Sequence, residues 1–116
     1  MAAPGLGLLR VPLLNAQSVD ETTSTPVNCL GYKNITIYFK RSTSITGVVT
    51  VEEADFNPTT ESGYSGTWSV IVAFDVSTMT TDQFAYHAPS SAFSQVRTRI
   101  STVIGGGTVS TVLTGV

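Results

Sequence analysis

The second half of the chain is dominated by apolar side chains that recur at every second residue. From Trp68 to Val116 these runs are rich in Val and Thr and are broken by Gly, Pro and Ser. One run carries Val70, Val72 and Phe74 at alternate positions. Such alternation places one set of side chains on a buried sheet face and the other set on the opposite face. The pattern predicts an all-β domain.

Turn-forming residues separate the alternating runs, and no segment shows the periodicity of a long helix. Many short strands joined by turns are typical of an antiparallel β-sandwich or jelly-roll-like domain, here of about six to eight strands. One helical turn at most is expected between Ser77 and Gln83. The strands predicted for the body of the domain are 31–41, 45–55, 67–77, 83–88, 93–104 and 108–114.

Composition limits the functions open to such a domain. The 116 residues are enough for one core and include 18 Thr and 13 Ser, whereas only 12% of the residues are charged. A net charge of −2 argues against nucleic-acid binding, which requires a basic surface. Because an isolated monomer usually carries more charge, the composition favours a surface that is partly covered by neighbouring molecules.

Residues 1–27 are predicted to form an extended apolar arm that precedes a sandwich domain at 28–116. Proline cannot donate a ladder hydrogen bond, so Pro12 confines the arm to an edge strand or an extended segment. Burying a large apolar side chain contributes roughly 1.5–3 kcal/mol, so the arm must pack on its own domain or on a neighbouring subunit. The candidate anchoring residues of the arm are Leu8, Leu9, Val11, Leu13 and Leu14.

The apolar N-terminus lacks a basic leader region and is too short to cross a membrane. The sequence therefore predicts a protein made in the cytoplasm of its host without a signal peptide, and no membrane partner. Cys29 is the only cysteine, so no intrachain disulfide and no thiolate metal cluster are possible. With no basic neighbour in sequence to lower its pKa, Cys29 is expected to be a small buried apolar residue rather than a nucleophile.

The titratable residues predict no enzyme, no cofactor and no metal. His87 is the only histidine, and no serine lies on a strand–turn–helix elbow, so a catalytic triad is not expected. The acidic residues Glu52, Glu53, Asp55 and Glu61 do not match a calcium loop. We expect instead that one of these carboxylates pairs across strands with Arg97 or Arg99.

Two aromatic residues are candidates for contact or anchoring. Trp68, the only tryptophan, follows a turn and begins a strand, so it is expected to anchor the core. Tyr64 lies in the polar loop 56–66 and is the better candidate for an exposed contact residue.

Over roughly residues 31–116 the chain resembles small β-sandwich virion proteins of tailed bacteriophages. The likeness rests on the order of VTVEEADFNP, TWSVI, FSQVRTRIS and GGGTV before a final Val/Leu strand. By motif, the resemblance implies that Trp68 is a core anchor and Arg97 an inward-facing arginine. It implies no catalytic residue.

The resemblance also implies a function. Proteins of this kind serve as capsid decoration (cement) proteins, and the apolar arm favours that role because it could lie across neighbouring capsomers. The expected partners are the major capsid protein and identical subunits, as a homotrimer on the capsid surface of the virion. The alternative that the resemblance leaves open is a tail or fibre component that acts as a receptor-binding or attachment module, using the loops around Tyr64 and Ser90–Ser91.

Overall fold

The computed structural model of the chain describes residues 9–29, 31–56, 61, 67–88 and 95–116. Within these ranges eight strands form two four-stranded antiparallel sheets, which pack together as a β-sandwich. Sheet A has the strand order β1-β8-β3-β6, and sheet B has the order β2-β7-β4-β5. The strands are β1 (Leu9–Pro12), β2 (Val27–Asn28), β3 (Ile35–Arg41), β4 (Thr46–Ala54), β5 (Ser69–Asp75), β6 (Gln83–His87), β7 (Gln95–Gly105) and β8 (Val109–Gly115).

The hydrophobic core lies between the two sheets and follows the alternation in the sequence. In β3, Ile35, Ile37 and Phe39 are almost fully buried, whereas the residues between them are half-buried on the outer face. Thr98 of β7 is also fully buried, and its hydroxyl lies 2.8 Å from that of Thr111 on β8. This hydrogen bond satisfies two buried polar groups and links the sheets across the core.

The N-terminal segment forms one side of the sandwich. β1 pairs with β8 of sheet A, and the chain remains beside β8 as far as Gln17, which forms an isolated bridge with Val109. The chain then crosses to sheet B, where the Ile100 N–H on β7 donates to the Thr22 carbonyl and the Ile100 carbonyl accepts from the Glu21 N–H. One continuous segment therefore supplies an edge strand to each sheet, β1 to sheet A and β2 to sheet B.

Gly47 shows how tightly β4 and β7 approach each other near the end of the sandwich. Its φ angle is +126°, a region that residues with a side chain rarely adopt. A Cβ atom at this position would lie 2.6 Å from the carbonyl oxygen of Val103. This position therefore requires glycine for both conformation and space.

The all-β sandwich predicted from the sequence is confirmed, and its eight strands lie at the upper end of the predicted range. The six strands predicted for the body correspond to β3–β8. The one helical turn is present as a 3-10 turn at Val76–Thr78, where the Asp75 carboxylate accepts a hydrogen bond from the Ser77 N–H. Pro12 lies on an edge strand, as its missing N–H group predicts.

Candidate functional site

The side of the sandwich opposite the N-terminal segment ends in β5 and β6. Among the described strands, β5 pairs only with β4, and β6 pairs only with β3. An edge strand presents backbone N–H and C=O groups that another chain can pair with. We call β5 and β6 together the open side of the sandwich.

Apolar side chains lie along the open side. Val70 of β5 is 53% exposed and Phe84 of β6 is 39% exposed. The ring of Phe84 stacks on that of Phe74 from β5, with centroids 4.5 Å apart, and both rings pack against the fully buried Phe39. The exposed aromatic surface is therefore continuous with the core.

The sequence of the open side offers little protection against pairing with another chain. Neither β5 (SVIVAFD) nor β6 (QFAYH) contains a lysine, arginine or proline, the residues that commonly block edge pairing. The pairing of β5 with β4 shifts register between Val51 and Glu52, so the first part of β5 is paired irregularly. From Val72 to Asp75 the pairing is regular. The second half of β5 is thus a regular, nearly neutral edge.

The structure places the described part of the predicted arm on its own domain. Leu14 is only 3% exposed and belongs to the hydrophobic core, and Leu9, Val11 and Leu13 pack against that core. Of the two alternatives for these apolar residues, packing on the same domain is the one observed. Leu8 lies outside the described residues, so its assignment as an anchor stays a prediction.

Glu52 is the centre of an ion cluster on the outer face of sheet B. Its carboxylate accepts hydrogen bonds from Arg97 Nε at 2.8 Å and from Arg99 Nε at 2.7 Å. Arg99 also pairs with the exposed carboxylate of Glu21 at 2.8 Å. The expected cross-strand pairing of a carboxylate with Arg97 or Arg99 is confirmed, and both arginines take part.

The ionisation of the cluster follows from its hydrogen bonds. Burial alone would raise the pKa of Glu52, but hydrogen bonds from Arg99, Arg97 and Thr50 outweigh that effect and hold its pKa below the usual value. The pKa of Arg99 is raised, chiefly by the Glu52 carboxylate. Both groups are therefore charged at neutral pH, and the cluster has the properties of a structural ion pair.

The roles expected for Trp68 and Arg97 need correction. Arg97 faces outward, because alternation along β7 buries its neighbours Val96 and Thr98. Trp68 is half-buried and is not part of the core. Its ring lies over the guanidinium of Arg97, with the Cζ atom 4.1 Å from the ring centroid. Trp68 directly precedes β5, which allows the indole to cover the ion cluster and to contribute a cation–π contact.

The remaining candidates for chemistry do not converge on a reactive site. His87 is exposed, and its Nδ1 atom lies 3.0 Å from the hydroxyl of Thr36. Cys29 is 1% exposed, and burial raises the pKa of its thiol to about 11, which confirms its role as a small buried residue. In the described ranges, no group of three His, Cys, Asp or Glu side chains is placed to hold a metal ion.

Two further features bear on the sequence predictions. Tyr64 and the Ser90–Ser91 pair lie outside the described residues, so their contact roles stay predictions. In the part of the chain that the structure describes, no helix has the length and apolar character needed to cross a membrane.

No protein-family model matches the chain, and no curated protein is similar to it in sequence. Functional inference therefore rests on the geometry of the sandwich.

The sequence predictions did not single out Val70 and Phe84. Alternation shows which residues share a face, but it does not show which strands lie at a sheet edge. The sequence of β5 nevertheless indicated an interaction surface, because the residues from Val70 to Phe74 are apolar on both faces of the strand. A strand that is apolar on both faces is expected to be covered on both, and β5 is not.

Proposed function

We propose that this chain is a structural virion protein that binds and stabilises the outer surface of a phage capsid. The observation that carries the proposal is the open side of the sandwich. There, the edge strands β5 and β6 carry one carboxylate, Asp75, and no lysine or arginine, and they expose Val70 and Phe84. Such a surface serves binding through buried area and main-chain pairing.

The two sides of the sandwich have different roles in this proposal. The N-terminal segment pairs with β7 and β8 and forms one side, where the edge strands β1 and β2 have only four and two residues and so offer little to pair with. On the other side, an extended segment of the capsid protein or of a neighbouring subunit pairs with β5, the longer of the two edges. Addition of a strand to a free edge supplies main-chain hydrogen bonds, and pockets for alternate side chains supply specificity.

This arrangement changes the part played by the arm. Leu14 is in the core and has no surface to offer a partner, so the arm cannot anchor the protein through this residue while it remains packed. We propose that residues 9–29 brace the sandwich, and that the capsid is contacted through the open side. Of the arm residues first considered as anchors, Leu8 remains a candidate for capsid contact.

The low charge of the chain supports an assembly with identical neighbours. Only 12% of its residues are charged, and the three arginines Arg41, Arg97 and Arg99 are already engaged in ion pairs within the chain. In the proposed assembly the protein is a homotrimer on the virion surface, made in the host cytoplasm. It acts through buried area, without a catalytic step.

Cryo-electron microscopy of virions that carry the protein tests this proposal. We expect the sandwich at every equivalent site of the capsid shell, with β5 and β6 facing the shell or a neighbouring copy. Addition of the purified protein to capsids assembled without it should restore the same density. Density confined to the tail, or an open side facing solvent in every copy, would refute the proposal.

A further inference from the structure

A groove of about 480 Å³ lies on the outer face of sheet A, away from the core and from the outer face of sheet B. Its size is within the range of small-molecule binding sites. Side chains from all four strands of the sheet line it: Leu9, Arg10, Tyr38, Lys40, Gln83 and Thr114.

Strand register explains why the polar side chains of this groove share one face. Alternation along β3 buries Ile37 and Phe39, so Tyr38 and Lys40 point outward. Lys40 pairs with Gln83 of β6, and Arg10 of β1 pairs with Thr114 of β8. The two cations therefore lie toward opposite corners of the sheet, with Tyr38 between them.

The charge of this groove contrasts with that of the whole chain. The net charge is −2, yet the groove is lined by two cations and no carboxylate. Within the described ranges neither Arg10 nor Lys40 forms an ion pair, whereas Arg41 at the neighbouring position binds Asp82 at 3.3 Å. The groove is thus a local site of positive charge that the chain itself does not neutralise.

The neutral residues that line the groove also have side-chain donors and acceptors without a partner in the described part of the protein. In the part of the chain that the structure describes, the side chains of Tyr38, Gln83 and Thr114 make no hydrogen bond to another protein group. A phenol, an amide and a hydroxyl can each donate and accept. Around an aromatic ring, these groups match the hydroxyls and the apolar ring faces of a sugar.

We propose that this groove binds an acidic oligosaccharide of the uronic-acid type. Carboxylates on separate sugar rings pair with Arg10 at one end and with Lys40 at the other, and the Arg10 guanidinium offers a bidentate fork. Tyr38 supports a sugar ring between them, and Gln83 and Thr114 bind its hydroxyls.

The geometry favours a saccharide over the other anionic polymers. An acidic peptide would bring backbone N–H and C=O groups that need partners, but β3 and β8 beneath the groove are central strands whose backbone groups are used in ladders. A nucleic acid requires many cations along its backbone, and here there are two. The inference rests on the lining of the groove and does not depend on capsid binding.

Calorimetric titration with a tetramer of galacturonic acid tests the inference. The matched ligand control is the same tetramer with its carboxylates methyl-esterified. We expect saturable binding of the acid that weakens with added salt, and at least tenfold weaker binding of the ester, because the ester cannot pair with the cations. Absence of saturable binding at millimolar ligand would overturn the inference, as would equal binding of the ester or tighter binding of a glutamate tetrapeptide.

Variants then locate the site. Arg10→Gln and Lys40→Gln should each weaken binding of the acid by about tenfold, whereas Lys33→Gln, which lies outside the groove, should change it less than twofold. Amide chemical shifts should move in β3 and β8 on titration. An equal loss in all three variants would indicate non-specific charge attraction and contradict the proposed site. The groove variants should bind capsids as the unmodified protein does, so failure of either proposal is distinguishable from failure of the other.

Discussion

Phe74 and Phe84 stack in parallel although they belong to different sheets, with ring planes only 8° apart. Phe39 packs against both rings from within the core, at centroid distances of 5.2 and 6.2 Å. The three rings hold the free edges of sheets A and B together. The open side is therefore a preformed surface, shaped by the core of the domain before any partner arrives.

Replacing Phe84 by alanine should lower the free energy of unfolding by about 1–3 kcal/mol, less than for a fully buried phenylalanine, because part of the ring is already exposed. Urea denaturation measures the loss. Val103→Ala is a control for loss of an exposed apolar group, since Val103 is 56% exposed, and it should change stability by less than about 0.5 kcal/mol. Equal effects of the two substitutions would show that the stacked pair does not stabilise the sandwich.

Glu52 and Glu21 allow a buried carboxylate to be compared with an exposed one, because both bind Arg99 but only Glu52 is buried. Glu52→Gln should cost roughly 2–3 kcal/mol in unfolding free energy, since it leaves two partly buried guanidinium groups without their common anion. Glu21→Gln should cost less than about 1 kcal/mol, as for other exposed pairs. A cost for Glu21→Gln as large as that for Glu52→Gln would contradict this account of the cluster.

The cluster also predicts a pH dependence. Because the pKa of Glu52 is lower in the folded protein than its usual value of 4.5, the unfolded state takes up this proton more readily than the folded state. The stabilisation is fully present above the usual pKa and is lost as the pH falls through the lower folded pKa. The stability difference between the unmodified protein and Glu52→Gln should therefore shrink between pH 6 and pH 3, whereas a difference that grows would have the wrong sign.

Cys29 should react with thiol reagents only when the protein opens. Its thiol is buried and has a pKa of about 11, so almost no thiolate exists in the folded protein at pH 8. We expect slow labelling by a disulfide reagent in buffer and complete, rapid labelling in urea, with the unfolded chain as the reference. Rapid stoichiometric labelling in buffer would contradict this, because it would show that Cys29, directly after β2, is accessible in the folded protein.

Leu14 tests whether the N-terminal segment belongs to the sandwich in the free protein. Leu14→Ala should lower the unfolding free energy by about 2–4 kcal/mol, because it removes a buried side chain from the core. Val19→Ala, on the same segment but 64% exposed, should have little effect. If Leu14→Ala leaves the stability of the isolated protein unchanged, the segment packs elsewhere in solution.

The sequence contained enough information to predict the fold because each body strand alternates clearly. Ile35, Ile37 and Phe39 alternate along β3 and all face inward, and Glu52 pairs with both arginines. Alternation alone cannot assign the inner and outer faces when both carry large side chains. The resemblance implied an inward-facing Arg97, and Trp68 was expected in the core because it begins a strand, yet the indole and the guanidinium cover each other outside sheet B.

The candidate binding surface depended on sheet order, which local patterns do not encode. The run Val70–Phe74 shows that β5 is apolar on both faces, but the position of β5 at an edge depends on where β2, β7 and β4 pair. The same limit applies to the apolar arm. Its leucines were recognised as residues that must be buried, but the choice between the domain itself and a neighbour required the long-range pairing of β1 with β8.

Capsid binding by two valine-to-lysine variants tests the central claim most directly. Val70 on the open side and Val103 on β7 are nearly equally exposed, at 53% and 56%, so Val70→Lys and Val103→Lys add the same charge at side chains of similar exposure. Co-sedimentation with capsids assembled without the protein measures binding, after circular dichroism has shown that both variants are folded. We predict that Val70→Lys abolishes capsid binding while Val103→Lys retains it. Undiminished binding of Val70→Lys, or loss of binding in Val103→Lys alone, would contradict the assignment of the open side as the capsid-binding surface.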